Sequence, residues 1–154
     1  MNTHYDQMRT SLEHLLGKYL LIAGEIDMFI TLSKSFFTGN EVSKTWVKKE
    51  LADKLKWYKN NLDQSVPEHA SLVYSINAFD ITHRPFRNTL AHSGLTLNVS
   101  NNAFEVMNAD GLSDSISLKD LQQKVVELNQ LKQDINERIA LSASAHIKST
   151  RSNP

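Results

Sequence analysis

Apolar residues keep a helical period along most of this chain and switch to a period of two over one short stretch. Between about residues 3 and 37, Met8, Leu12, Leu15, Tyr19, Ile22, Ile26, Phe29 and Phe36 follow one another at alternating intervals of four and three, with Ser33 filling the one gap. Leu16, Leu20, Ala23, Ile30 and Phe37 widen the stripe. One long helix is expected there, with a face broad enough to bury against more than one neighbour. Thr38-Gly39-Asn40 breaks it. A second helix, roughly 41–63, turns Val47, Leu51, Leu55, Tyr58 and Leu62 inward. Ser65-Val66-Pro67-Glu68 opens a third, with Pro67 near its first position. Its stripe is Leu72, Ile76, Phe79, His83, Phe86 and Leu90. Pro85 interrupts this stripe, so the helix is expected to kink or restart there and Arg84 to be pushed toward an extended conformation. Gly94 is placed to end the helix in a left-handed cap.

After Gly94 the alternation of Leu95, Leu97 and Val99, then of Phe104 and Val106, predicts a β-hairpin over 95–107 with its turn at Ser100-Asn101-Asn102. Asp110-Gly111 closes this region. Ser117, with Asp120 three residues on, resembles a capping box and starts the last helix, whose core face is Leu118, Leu121, Val125, Leu128, Ile135 and Ile139. The expected fold is therefore all-α: an antiparallel bundle of four long helices, the third kinked, with a small hairpin between the third and fourth. It forms a single domain over residues 1–141, and the Ser- and Ala-rich stretch 142–154 is expected to fray.

The chain's 154 residues suit one domain with a real core. It has no cysteine, so disulfide and thiolate chemistry are excluded. No apolar run approaches bilayer length, and the first residues lack the basic-then-apolar pattern of a secretion signal, so no membrane partner and a cytoplasmic setting are expected. The formal net charge is zero, which argues against broad phosphate neutralisation and leaves room for a local basic site. One such place is the outer surface of the second helix, where Lys44, Lys48, Lys49, Lys54, Lys56 and Lys59 interleave with Trp46 and Trp57. Lysines and aromatics so arranged can grip a single strand by charge and stacking. Glu41, Glu50, Asp53 and Asp63 dilute the charge, and the simpler reading is a solvated face with its tryptophans in the core or an interface.

There is no Gly-rich phosphate loop, nucleophile elbow or His-Glu-x-x-His. No two of the six histidines have helical metal-ligand spacing, so no metal or cofactor is expected. His4, His14, His69 and His146 read as surface residues, and His83 as a buried histidine with one backbone partner.

The densest chemistry lies in Arg87-Asn88-Thr89-Leu90-Ala91-His92-Ser93-Gly94. Asn88 and His92, four apart, are neighbours on one helix face and project away from the apolar stripe, with Arg87 on its flank. Carbonyl dipoles in a last helical turn favour an imidazolium at His92. A readily protonated His beside an Arg suits a site that holds a phosphate and gives a proton to a leaving oxygen. Arg84 is a second candidate phosphate contact, and Glu25 is either a rim carboxylate or a partner that steadies Arg87.

Arg87-Asn88-x-x-x-His92 resembles the Arg-polar-x-x-x-His signature of the HEPN superfamily, and Arg-Asn-x-Leu-Ala-His-Ser/Gly is close to the wording of many bacterial members. The resemblance implies a small all-helical domain with the signature near the end of its third long helix. It also implies a metal-independent endoribonuclease whose catalytic residues are Arg87, Asn88 and His92, working on RNA as a homodimer. A toxin–antitoxin or antiviral-defence setting, with a cognate antitoxin or nucleotidyltransferase partner, comes with it. The rival reading is a non-catalytic helical adaptor, immunity or antitoxin-like protein, in which the same residues cap the helix end and hold a dimer or partner.

Overall fold

The computed structural model describes residues 3–107, 111 and 113–152. It is mostly helical, with a small three-stranded antiparallel sheet. Helices α1 (Thr3–Thr38), α2 (Lys44–Val47), α3 (Leu51–Asn61) and α4 (Pro67–Ala78) come first. A π-helical turn, Phe79–His83, leads into α5 (Arg84–His92). Strands β1 (Leu95–Asn98), β2 (Ala103–Met107) and β3 (Ser113–Ser117) precede α6 (Leu118–Ser152). Among the described residues only α1 and α6 are long, at 36 and 35 residues, where four long helices were expected.

The chain forms two compact units. One joins Met1–Ala23 to His83–Asn129, the other Gly24–Thr82 to Gln130–Pro154. In the first, Met8, Leu12 and Tyr19 of α1, Leu90, Phe104 and Val106, and Leu121 and Leu128 of α6 are buried. In the second, Ile26, Ile30 and Phe37, Trp46, Leu55 and Tyr58, Leu72 and Ile76, and Ile135 and Ile139 are buried. Near the end of α1 Phe37 is inside and Phe36 is exposed, the reverse of the expected stripe for Phe36. A 3.5-residue pattern drifts about 20° per heptad on a 3.6-residue helix, and the buried side moves with it.

The expected second helix is two. Trp46 is buried and its indole Nε1 donates to the Thr31 carbonyl at 2.8 Å, while Val47, read as inward, is half exposed. Trp46 stands five residues before Leu51, about 140° away on a continuous helix. Burying both requires a break, which falls at Lys48-Lys49-Glu50. Ser43 caps α2 through its Oγ, which accepts from Trp46 N at 3.1 Å.

The third helix differs at Pro85. Arg84 is helical rather than extended, and His83 before it has φ −106° and ψ −33°. The π-helical turn Phe79–His83 ends two residues before the proline. Its wider i→i+5 winding removes the carbonyl that an α-helix would drive into the proline ring, so the chain continues without unwinding. The far end also departs from expectation. Ser93 turns to an extended conformation (φ −104°, ψ 151°), and Gly94 has no positive φ. The Gly94 carbonyl accepts from Met107 N at 3.4 Å, so the chain passes directly into the sheet and needs no left-handed cap.

The segment read as a hairpin forms β1 and β2, paired with Leu97 opposite Phe104 and Leu95 opposite Val106. Asn98 Oδ1 accepts from Asn101 N at 3.3 Å in the turn, and Asn102 takes the left-handed conformation at φ 48°. The sequence reading missed β3, which pairs Ile116 with Phe104. Ser113-Asp114-Ser115-Ile116-Ser117 carries one apolar side chain, so no alternation announces it. Asp110 of the expected closing turn lies outside the described residues, whereas Gly111 has φ 75°. Ser117 Oγ accepts from Asp120 N at 3.0 Å and caps α6.

The stretch expected to fray is helical to Ser152. Ser142 is fully buried and bonded to His69, and the His146 ring packs edge-on to Phe37 at 5.6 Å. The hydroxyls of Ser149, Thr150 and Ser152 donate back to carbonyls three or four residues earlier, so these polar residues cover the helix rather than compete with it.

The glycines give a direct check. An added Cβ meets nothing within 4 Å at Gly39 or Gly94, but Gly39 has φ 69°. Gly39→Ala should lower the unfolding free energy by about 1–2 kcal/mol, while Gly94→Ala should be neutral or add up to about 1 kcal/mol. Urea unfolding of the two variants measures the contrast, and an equal loss at both would contradict the backbone described for residues 93–95.

Candidate functional site

Helix α5 is anchored at its start by Tyr19. The Tyr19 side chain is fully buried, and its hydroxyl shares a 2.9 Å hydrogen bond with His83 Nδ1. It also donates to the His83 carbonyl at 3.3 Å. The Tyr19 ring meets Phe86 edge-to-face at 5.0 Å, and the Lys124 ammonium stands 4.7 Å from the Phe86 centroid. The His83 ring nitrogen thus meets a tyrosine hydroxyl where a backbone partner was expected. Burial, and then the nearby Lys124, hold its imidazole below the ordinary histidine range. Tyr19 was legible only as a core residue, because nothing in the local sequence ties its hydroxyl to a position 64 residues away.

Phe86 and Leu90 give α5 its inner side, with Leu90 buried. Arg87 and Asn88 are half-buried and His92 is exposed in the last turn. Arg87 Nη1 donates to Asn88 Oδ1 at 3.0 Å. That bond steadies the guanidinium and leaves the Asn88 amide nitrogen as the group available to an acceptor. No carboxylate pairs with Arg87 among the described residues. Ser93 N donates to the Thr89 carbonyl at 2.9 Å, so the turn carrying His92 is closed by a backbone bond. Arg84 is half-buried at the first position of α5 and is engaged by a partner of its own.

Glu25 is not Arg87's partner. It belongs to the second unit, where Lys132 Nζ donates to Glu25 Oε2 at 2.9 Å on the protein's rim. The structure thus brings Arg87, Asn88 and His92 together on one short helix, with Arg84 at its start, and sets Glu25 in a separate ion pair.

Two other sequence expectations change in the second unit. His69, expected on the surface, is buried, with Nδ1 2.6 Å from Ser142 Oγ. Burial, then His146, holds its pKa down. Lys54, expected on the outer face of the second helix, is buried, with Nζ 3.1 Å from Asp27 Oδ1 and 2.7 Å from Thr31 Oγ1. Among the described residues no group of three or more His, Cys, Asp or Glu could hold a metal ion, and no helix is long and apolar enough to cross a membrane.

Compared with known proteins, the chain matches no family model, no curated protein and no solved structure.

The two buried histidines make stability depend on pH. Both titrate lower in the folded protein than the ordinary value of about 6.5. Just below that value the unfolded chain binds more protons than the folded one. Stability is therefore full above about pH 6.5, falls as the pH drops through the window down to the folded pKa values, and is flat beneath them with respect to these groups. Circular-dichroism melts should give a lower Tm at about pH 5 than at about pH 7.5, and His69→Gln or His83→Gln should narrow the difference. An unchanged difference in both variants would remove the histidines as its source.

Proposed function

We propose that α5 carries the catalytic site of a metal-independent endoribonuclease of HEPN type. The observation that carries the reading is an exposed His92 in the closed last turn of a helix whose Arg87 is steadied by Asn88. In the proposed reaction the 2′-hydroxyl of an RNA attacks its own phosphorus. The bond to the 5′-oxygen breaks, leaving a 2′,3′-cyclic phosphate and a 5′-hydroxyl. His92 transfers the proton as general base or acid, Arg87 neutralises the charge that builds on the phosphorane, and Asn88 orients a phosphate oxygen or His92. The reading extends to a toxin–antitoxin or defence setting with a cognate antitoxin or nucleotidyltransferase partner.

A second reading, a non-catalytic adaptor or antitoxin-like protein, is favoured by one observation. Met28, Leu32 and Phe36, spaced four apart on α1, expose 49%, 49% and 58% of their surface, as a face that receives a partner helix would.

The first test is incubation with labelled RNAs in EDTA and identification of the product ends. Cyclic phosphate ends are expected. His92→Ala should abolish cleavage with an unchanged melt, because His92 is exposed. Arg87→Lys should be nearly as damaging, since an ammonium lacks the guanidinium fork. Absence of cleavage at high protein concentration, with or without metal, would select the adaptor.

The second test concerns assembly. Arg87 and His92 diverge by about 140° and lie about 7.5 Å apart along the axis of α5, so one copy cannot aim both squarely at one phosphate. A homodimer with its two-fold axis near the end of α5 would set each copy's patch against the other's. Sedimentation should give a dimer, and mixed dimers of wild type with His92→Ala should lose far more than half their activity. A monomer that cleaves, or mixed dimers with half activity, would rule the shared site out.

A further inference from the structure

The second unit holds a cavity that the proposed reaction does not use. It measures about 320 Å³ and lies against α2 and α3, with Lys34, Lys49, Lys56, Trp57 and Asn60 among its lining residues. That volume is at the low end for a small-molecule site and admits a base with its phosphate rather than a folded partner. Lys34 of α1 joins the cluster across the sequence. Its ammonium is 4.1 Å from the Trp46 centroid and 5.0 Å from that of Trp57. The two indoles meet edge-to-face at 5.7 Å. Trp46 is a fixed wall, buried and bonded to the Thr31 carbonyl. Trp57 is half exposed, while Lys49, Lys56 and Asn60 are exposed.

Charge is concentrated here. Residues 44–61 hold six lysines against Glu50 and Asp53 in a chain of zero formal charge. Of the six, Lys54 is spent on Asp27, and the others are exposed. Asp53 also lines the cavity, so the groove is not a uniform anion trap. It offers two indoles, separated ammonium groups, two amides and one carboxylate acceptor. Alternating phosphates and flat bases with amino donors complement that set, whereas the carboxylates of an acidic peptide have no flat ring to place on Trp57.

We infer that this groove binds single-stranded nucleic acid, with a base stacked on Trp57 and flanking phosphates on Lys49 and Lys56. The inference is independent of the ribonuclease reading, because binding here needs neither Arg87 nor His92.

The test uses the full chain and a labelled deoxycytidylate dodecamer, which lacks the 2′-hydroxyl and cannot be cleaved by the proposed route. Binding is followed by anisotropy and by quenching of tryptophan fluorescence across a salt series. Wild type should bind at low salt with quenching. The exposed double variant K49Q/K56Q should keep its fold and lose two phosphate contacts. The slope of log affinity against log salt should then shrink by about 1.4, at about 0.7 per phosphate on a single strand. Trp57→Ala should weaken binding about tenfold or more. Three results would overturn the inference: no binding at low salt, a salt slope unchanged in K49Q/K56Q, or polyglutamate displacing the dodecamer as well as unlabelled dodecamer does.

Discussion

A buried tyrosine hydroxyl is the constraint on which the candidate site depends. Tyr19 is fully buried, and a hydroxyl without partners in such a place costs on the order of 1–3 kcal/mol. Its partners are both from His83, the ring nitrogen at 2.9 Å and the carbonyl at 3.3 Å. They fix the residue that leads into α5. The carbonyl belongs to the residue at which the π-helical turn ends and the proline-bearing α-helix begins, and its second lone pair can take the tyrosine proton. Proline, π turn and tyrosine thus form one arrangement. Pro85 excludes an ordinary helical turn, the wider turn accommodates it, and Tyr19 holds His83 at the point where that turn passes into α5.

A threonine has the corresponding place in the second unit. Thr31 Oγ1 donates to the Asp27 carbonyl at 2.6 Å and accepts from Lys54 Nζ at 2.7 Å. Its carbonyl accepts from the Trp46 indole at 2.8 Å. One residue of α1 therefore holds a residue of α2 and a residue of α3, on either side of the break between them. The buried Lys54 is tolerable because Asp27 lies 3.1 Å away and is a third exposed, so the pair keeps contact with water. Removing Asp27 alone would leave a buried ammonium with a single neutral acceptor, which is the costly way to break such a pair.

Sequence periodicity revealed the elements wherever burial is one-sided and continuous. The long stripe of α1, the face of α6 and the alternation in β1 and β2 are of this kind. It failed where long-range bonds decide. Lys54 reads as solvent-facing because Asp27 is 27 residues away, and the carbonyl that takes the indole of Trp46, read as core or interface, lies 15 residues back and was not legible. The residues after 141 read as frayed on composition alone, yet Ser142 and His146 have partners in the preceding helices. The strand Ser113–Ser117 has too few apolar residues to show a period and is set by pairing with β2. The placement of the candidate residues on one helix was also legible. Arg87, Asn88 and His92 lie on one regular helix, so the phase argument needed no tertiary information. Of the two readings of Glu25 the rim carboxylate is the one seen, but its cation, Lys132, lies 107 residues along the chain and could not be named.

The legibility of α5 has a physical basis. On α5 the residues that hold the helix and those that offer chemistry occupy separate sides. Phe86 and Leu90 face the first unit's interior, where Tyr19 meets the Phe86 ring. Arg87, Asn88 and His92 are half-buried or exposed. The Arg87–Asn88 bond is an exchange between adjacent side chains, and breaking it opens no cavity. Such a helix can gain, lose or alter a reactive set without altering its packing, because core and surface substitutions act on different free-energy terms. The reverse does not hold, because the bonds between Tyr19 and His83 fix the start of the helix that carries the whole set. A helix supported from one side and offering polar groups on the other is thus a scaffold that a ribonuclease and an inactive binding protein would share, Arg87 and His92 included, so that the packing alone does not tell them apart.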